Sequence, residues 1–148
     1  MRLFIGVGLG VELAGYLEQW SRRGPGFNST GFRLVAPRDY HLTLVFLGSH
    51  PPSVVPQIHS RLLEIRSRHA PFSCQLRGTG LLPCERRPRA LVANVECSAA
   101  LRALHDDLCS SLQNLLVEDG THEFRPHITL ARAARRSRVR SGREVKGG

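Results

Sequence analysis

Two short segments constrain this chain more than anything else in it. They are Tyr40-His41-Leu42-Thr43-Leu44 and Pro126-His127-Ile128-Thr129-Leu130, with their histidines 86 positions apart. Each reads His-x-Thr-x with an aliphatic residue at both x positions. Side chains alternate faces along a strand with a period of two. His41 and Thr43 therefore share one face, and Leu42 and Leu44 the other. His127 and Thr129 are set against Ile128 and Leu130 in the same way. Each strand can bury an aliphatic face in a core and present an imidazole beside a hydroxyl on the other. If the two strands lie side by side, two histidines face one cleft with two threonines between them.

That set of groups suits phosphoryl transfer without a metal. Imidazole, with an ordinary pKa of about 6.5, gives or takes a proton at neutral pH. Opening a phosphodiester needs a base to activate water and an acid to protonate the leaving oxygen, and two histidines can divide those roles. The hydroxyls of Thr43 and Thr129 can donate to the non-bridging phosphate oxygens, where negative charge builds up. Arg132, three residues past Thr129, can add a charge-assisted contact. The residues alone do not say which histidine is donor and which acceptor. The remaining histidines, His50, His59, His69, His105 and His122, lack such a context and are expected to be surface or structural. His105-Asp106-Asp107 has no second histidine at i+4, so a solvated helix face is expected there rather than a metal site.

The rest of the chain supplies a frame of alternating strands and helices. Arg2 to Val7 is an apolar, strand-like run. Leu13, Leu17 and Trp20 make a helical stripe from Val11 to Trp20, ended by Gly24-Pro25-Gly26. Phe32–Val35 and Leu42–Leu47 read as strands. Val54, Val55, Ile58, Leu62 and Ile65 recur at helical spacing to about Arg68. Phe72–Leu76 and Ala90–Val95 read as strands around a turn-rich stretch, Leu82 to Pro88. Ser98 caps a helix with Leu101, Leu104, Leu108 and Leu112 on its apolar face. A last strand runs from His127 to Ala131. The expected order is β-α-β-β-α-β-β-α-β.

Composition limits the function classes. The 148 residues suit one compact domain or two small fused lobes, and 41% hydrophobic content is that of an ordinary globular chain. No apolar stretch approaches the roughly 20 residues that span a bilayer. The start lacks the long apolar segment of a signal peptide, so a cytoplasmic protein is expected. The net charge is +9, from 21 basic and 12 acidic side chains. Such an excess draws polyanions, nucleic acid first. Much of it sits in the tail, where Arg132, Arg135, Arg136, Arg138, Arg140, Arg143 and Lys146 face a single acid, Glu144. That tail serves either as a solvated extension or to hold RNA phosphates. Cys74, Cys84, Cys97 and Cys109 have no Cys-x-x-Cys spacing and are expected to be buried free thiols.

At these residues the sequence resembles the 2H phosphoesterases, and within them the RNA 2′,3′-cyclic phosphodiesterases, historically called 2′-5′ RNA ligases. The resemblance rests on Met1-Arg2-Leu3-Phe4-Ile5, on Val35 through Gly48, and on Phe124-Arg125-Pro126-His127-Ile128-Thr129-Leu130-Ala131-Arg132. It implies a two-lobed α+β fold with pseudo-two-fold symmetry, antiparallel-rich sheets around a central cleft, and helices outside. It implies His41 as proton donor to the leaving 3′ oxygen and His127 as the base that activates water, giving a 2′-phosphate. It implies no cofactor and no metal. The partner would be RNA with a 2′,3′-cyclic phosphate end, or a small cyclic phosphate. The alternatives are 2′-5′ ligation of tRNA-like halves by the same residues, and a non-catalytic RNA-binding module.

The organisation expected is a single domain of two lobes over residues 1–132 and a basic, irregular tail over 133–148. Family members continue past the second motif with further strands, which this tail cannot supply. That would leave a sheet edge open. A monomer is expected, with a dimer as the alternative.

Overall fold

The computed structural model describes residues 1–23, 31–83, 86–116 and 123–133. The basic tail, Cys84 and His122 fall outside these residues. Strands and helices follow in the expected order: β1 (Arg2–Gly8), α1 (Val11–Arg23), β2 (Phe32–Leu34), β3 (His41–Ser49), α2 (Val55–Arg66), β4 (Leu76–Leu82), β5 (Ala90–Val95), α3 (Ala99–Ser111) and β6 (His127–Ala133). The strands hydrogen-bond in the order β1-β3-β6-β5-β4, and β2 also pairs with β6. The ladders β1–β3, β2–β6 and β3–β6 are antiparallel. The class is α+β. Among the described residues no helix is long and apolar enough to cross a membrane.

Contacts divide the chain into two compact units. The first comprises Met1–Gly8, His41–Gly78 and Asn94–Ile128. Its core is built from the aliphatic faces of β3 and the two long helices. Leu42, Leu44 and Leu47 of β3 are buried, as are Ile58 and Ile65 of α2 and Leu101 and Leu108 of α3. The helical pairs are seven residues apart, two turns, which is what puts them on one stripe. Ser98 caps α3, its side chain accepting from the Leu101 N–H at 3.2 Å. Asp107 ties the end of α2 to α3. It accepts from Arg68 at 2.9 Å and 3.1 Å, and from the His69 ring at 2.7 Å. These donors hold its carboxyl well below the usual carboxylate range.

The second unit comprises Leu9–Tyr40, Thr79–Ala93 and the described part of Thr129–Gly148. In it α1 carries Glu12 in its first turn and Arg22 and Arg23 in its last, as the helix dipole favours. Leu17 and Ser21, one turn apart, are its buried residues. The Tyr40 side chain is also buried and hydrogen-bonds to Ser21. Burial pushes the Tyr40 phenol up, and the Ser21 contact partly offsets this.

The structure corrects the sequence reading in several places. Residues 72–75 are not a strand; β4 lies further on, at Leu76–Leu82. Phe72 and Leu76 are exposed, so that apolar run has nothing to anchor it, while Gly80 to Leu82 are half-buried. Helix α1, by contrast, runs to Arg23, directly before Gly24-Pro25-Gly26, where the sequence reading ends it, and Arg22 pairs with Glu18 one turn back. The cysteines are not uniformly buried: Cys74 and Cys97 are exposed and Cys109 is half-buried. Cys74 precedes β4 and Cys97 follows β5, so neither side chain sits within a strand. Burial, with the nearby Asp106 charge, pushes the Cys109 thiol up, away from the reactive thiolate.

Candidate functional site

The site begins with register. Leu42 of β3 stands opposite Ile128 of β6 in an antiparallel pair. One step along each strand puts Thr43 opposite His127. Burial follows the alternation expected of both motifs. Leu42, Leu44, Ile128 and Leu130 are buried, while His41, Thr43, His127 and Thr129 are half-buried. His41, Thr43 and His127 all belong to the first unit. Thr129 and Arg132 lie on the part of β6 assigned to the second. Thr129 shares strand parity with His127. Arg132 has the opposite parity, is exposed, and stands opposite Arg33 of β2.

On the other side of β3 the cross-strand partners are glycines. Gly6 faces Thr43 and Gly8 faces His41. Beside the two motif residues, β1 therefore offers bare backbone. A Cβ at Gly8 would meet nothing within 4 Å. A Cβ at Gly6 would lie 2.9 Å from Cε2 of Phe4, because the Phe4 ring folds down over that position. There it stacks on the His41 imidazole, with centroids 4.8 Å apart and planes at 29°. Glycine inside a strand weakens it and commonly marks a place where something must approach closely.

His127 is held by its own loop. Its Nδ1 lies 2.7 Å from the Arg125 carbonyl oxygen. A carbonyl only accepts, so Nδ1 carries the proton, and in the neutral ring Nε2 is left with its lone pair. Pro126, buried, offers its carbonyl to the Val95 N–H at 3.0 Å. The residues leading into His127 are thus tied to β5 as well as to their own turn.

Strand β3 is bulged twice against β1. Leu47 has no partner between the pairs Leu3–Gly48 and Phe4–Phe46, and Leu44 has none between Ile5–Val45 and Gly6–Thr43. A histidine serves each bulge. His50 Nε2 lies 2.7 Å from the Leu47 carbonyl and 2.7 Å from that of Leu115. His105 Nδ1 lies 2.8 Å from the Leu44 carbonyl. Both fit the structural role expected of them. The solvated face expected at His105-Asp106-Asp107 holds only for Asp106, since His105 and Asp107 are half-buried and bonded.

Sequence reasoning missed Phe4, Gly6, Gly8 and Phe124 as parts of this neighbourhood. The alternation Gly6-Val7-Gly8 within an apolar strand was the available signal for the bare face of β1. Nothing local marks Phe124, which matters through a contact with a residue on α3.

With this geometry in hand, comparison with known proteins gives a consistent result. The family model described as the 2'-5' RNA ligase superfamily matches residues 11–145. The chain is 36% identical over 138 residues to an RNA 2',3'-cyclic phosphodiesterase of Thermus thermophilus, covering 89% of this chain and 68% of that one. It is 34% identical over 130 residues to an RNA 2',3'-cyclic phosphodiesterase of Geobacillus stearothermophilus, covering 87% of this chain and 41% of the relative. The crystal structure of TT0787 of Thermus thermophilus superposes with a TM-score of 0.74 at 35% identity, over 90% of this chain and 74% of that one.

Proposed function

The chain belongs to the 2'-5' RNA ligase superfamily, and from that premise we propose that it hydrolyses RNA 2′,3′-cyclic phosphate ends to 2′-phosphomonoesters. The reading is of a hydrolase with two-histidine acid–base catalysis and no metal. Its relatives of 36% and 34% identity carry the name of that activity. The observation that carries the reading is the Leu42–Ile128 register, which sets the two His-x-Thr-x segments on adjacent strands with Thr43 opposite His127.

The step balances as follows. His127 Nε2 takes a proton from water as the water oxygen bonds to phosphorus. The bond from phosphorus to the ribose 3′ oxygen breaks, and protonated His41 gives its proton to that oxygen. The products are a 2′-phosphate and a free 3′-hydroxyl. Exchange with solvent returns the two imidazoles to their starting states. The fixed Nδ1–H of His127 supports the acceptor role, because it leaves Nε2 as the basic nitrogen. Thr43 and Thr129 donate to the non-bridging oxygens, whose charge grows in the transition state. Arg132, exposed and of opposite parity, supplies charge to the bound RNA. Because His41, Thr43 and His127 come from one unit of one chain, a monomer suffices. We infer a cytoplasmic location, with which an RNA substrate is compatible.

The test is hydrolysis of an oligonucleotide ending in a 2′,3′-cyclic phosphate, in EDTA, with the phosphate position identified. We expect a 2′-phosphate, and a loss of roughly 10²- to 10⁴-fold for His41→Ala and for His127→Ala. Wild-type rates in either variant would overturn the mechanism. Ligation is the same chemistry with a ribose 5′-hydroxyl replacing water. Adding paired RNA halves to the assay separates it from hydrolysis.

A further inference from the structure

The Leu44 carbonyl, left over where β3 bulges, is taken by His105 of α3. The same imidazole does a second job. The Phe124 ring lies flat on it, with centroids 3.9 Å apart and planes at 5°. Arg102, one turn earlier on α3, sets its guanidinium carbon 5.8 Å from the Phe124 centroid. The Leu44 carbonyl only accepts, so the His105 Nδ1 carries a proton, while its Nε2 faces Cys109 Sγ at 3.5 Å.

Phe124 comes three residues before His127. Between them, Arg125 gives its carbonyl to His127 Nδ1–H and Pro126 gives its own to Val95. The contacts thus form a closed circuit. It runs from Leu44 of β3 to His105, across to Phe124, along the chain to His127, and back to β3 at Thr43. All of it lies in the first unit. The bulge and the stack both depend on one ring.

We propose that His105 is a positioning residue for the hydrolysis: it fixes the segment that carries His127 against β3. It touches neither water nor phosphate and acts through Phe124 and Leu44. A histidine base must hold both its ring orientation and its tautomer to work, and groups behind it set both. This inference rests on the reading of the site given above.

The test uses the full chain with His105→Leu, which keeps bulk and removes the donor, and His105→Asn, whose amide N–H stands where Nδ1–H stood. Phe124→Leu removes the stack without touching α3. Steady-state rates on the cyclic-phosphate oligonucleotide are read beside the ¹⁵N NMR signature of the His127 tautomer and a thermal melt. For His105→Leu we expect kcat to fall roughly ten- to hundredfold. KM should change by no more than about twofold. His127 should shift from a single Nδ1–H form to a mixture. His105→Asn, which restores the bond to Leu44 but not the stack, should recover only part of the rate and of the tautomer, and Phe124→Leu, which keeps that bond and loses the stack, should likewise fall between wild type and His105→Leu.

A folded His105→Leu with wild-type kcat and an unchanged His127 signature overturns the proposal. If that variant does not fold, Phe124→Leu decides on the same two readouts. If the wild type hydrolyses no cyclic phosphate, the functional reading fails, and the tautomer measurement still decides the positioning role.

Discussion

The Phe4 ring reaches the His41 imidazole only because residue 6 between them has no side chain. The stack has a centroid separation of 4.8 Å, and a Cβ on Gly6 would sit 2.9 Å from the Phe4 ring and 3.1 Å from the Leu42 carbonyl. The ring can move away; the carbonyl belongs to β3 and cannot. Gly6→Ala should therefore displace Phe4 from His41. We expect about 1–2 kcal/mol of lost stability from overpacking. In a Phe4→Ala background the same substitution should cost less, since the crowded ring is gone. A double-mutant cycle by urea unfolding and by kcat measures this, and strict additivity would contradict it.

Gly8 poses the opposite case. It faces His41 across the ladder, and a Cβ there meets nothing. Gly8→Ala should leave the fold intact, and its melting temperature should hold or rise as the unfolded chain loses freedom. If the bare face of β1 receives substrate, KM for the cyclic-phosphate oligonucleotide should nevertheless rise. An unchanged KM would show that this strip is not where the RNA lies.

Asp107 provides a pH signature in stability. Arg68 and His69 hold its carboxyl below the ordinary carboxylate pKa of about 4. A depressed folded pKa contributes stability that is present above the unfolded value and lost as pH falls through the folded one. Asp107→Asn should cost about 1 kcal/mol at pH 7, a modest figure because Arg68 is partly exposed. The gap between variant and wild type should shrink as pH drops below about 4. Urea midpoints across pH 2–7 check this, and a constant gap would refute it.

Arg132 separates binding from chemistry. As an exposed residue of the opposite strand parity to His127, it is expected to hold RNA rather than the reacting phosphate. Arg132→Ala should raise KM several-fold, leave kcat near wild type, and make KM less steeply dependent on salt by about one counterion. A fall in kcat with KM unchanged would put the guanidinium at the transition state instead.

Much of this protein is legible along the chain. The alternation in His41-Leu42-Thr43-Leu44 and His127-Ile128-Thr129-Leu130 gives two strands with a polar and an aliphatic face, and the burial of Leu42, Leu44, Ile128 and Leu130 follows it. The stripes through Ile58 and Ile65, and through Leu101 and Leu108, give two helices, and Ser98 marks the start of α3. These are local properties. Periodicity and capping depend on residues within a turn or two of each other, so a single sequence contains them.

Tertiary structure decided the rest. The run Phe72–Leu76 reads as a strand, yet hydrogen bonding starts β4 at Leu76 and carries it across Gly78 and Gly80. That Gly6 and Gly8 stand opposite Thr43 and His41 depends on a register shifted twice by bulges at Leu47 and Leu44. The histidines that serve those bulges, His50 and His105, look alike in sequence to exposed His59. Which residue faces which across a ladder, and which carbonyl a bulge leaves over, are relations between segments tens of residues apart. No local pattern encodes them. The sequence alone named the two histidines and the two threonines; only the folded chain showed Phe4, the bare glycines and His105 standing around them.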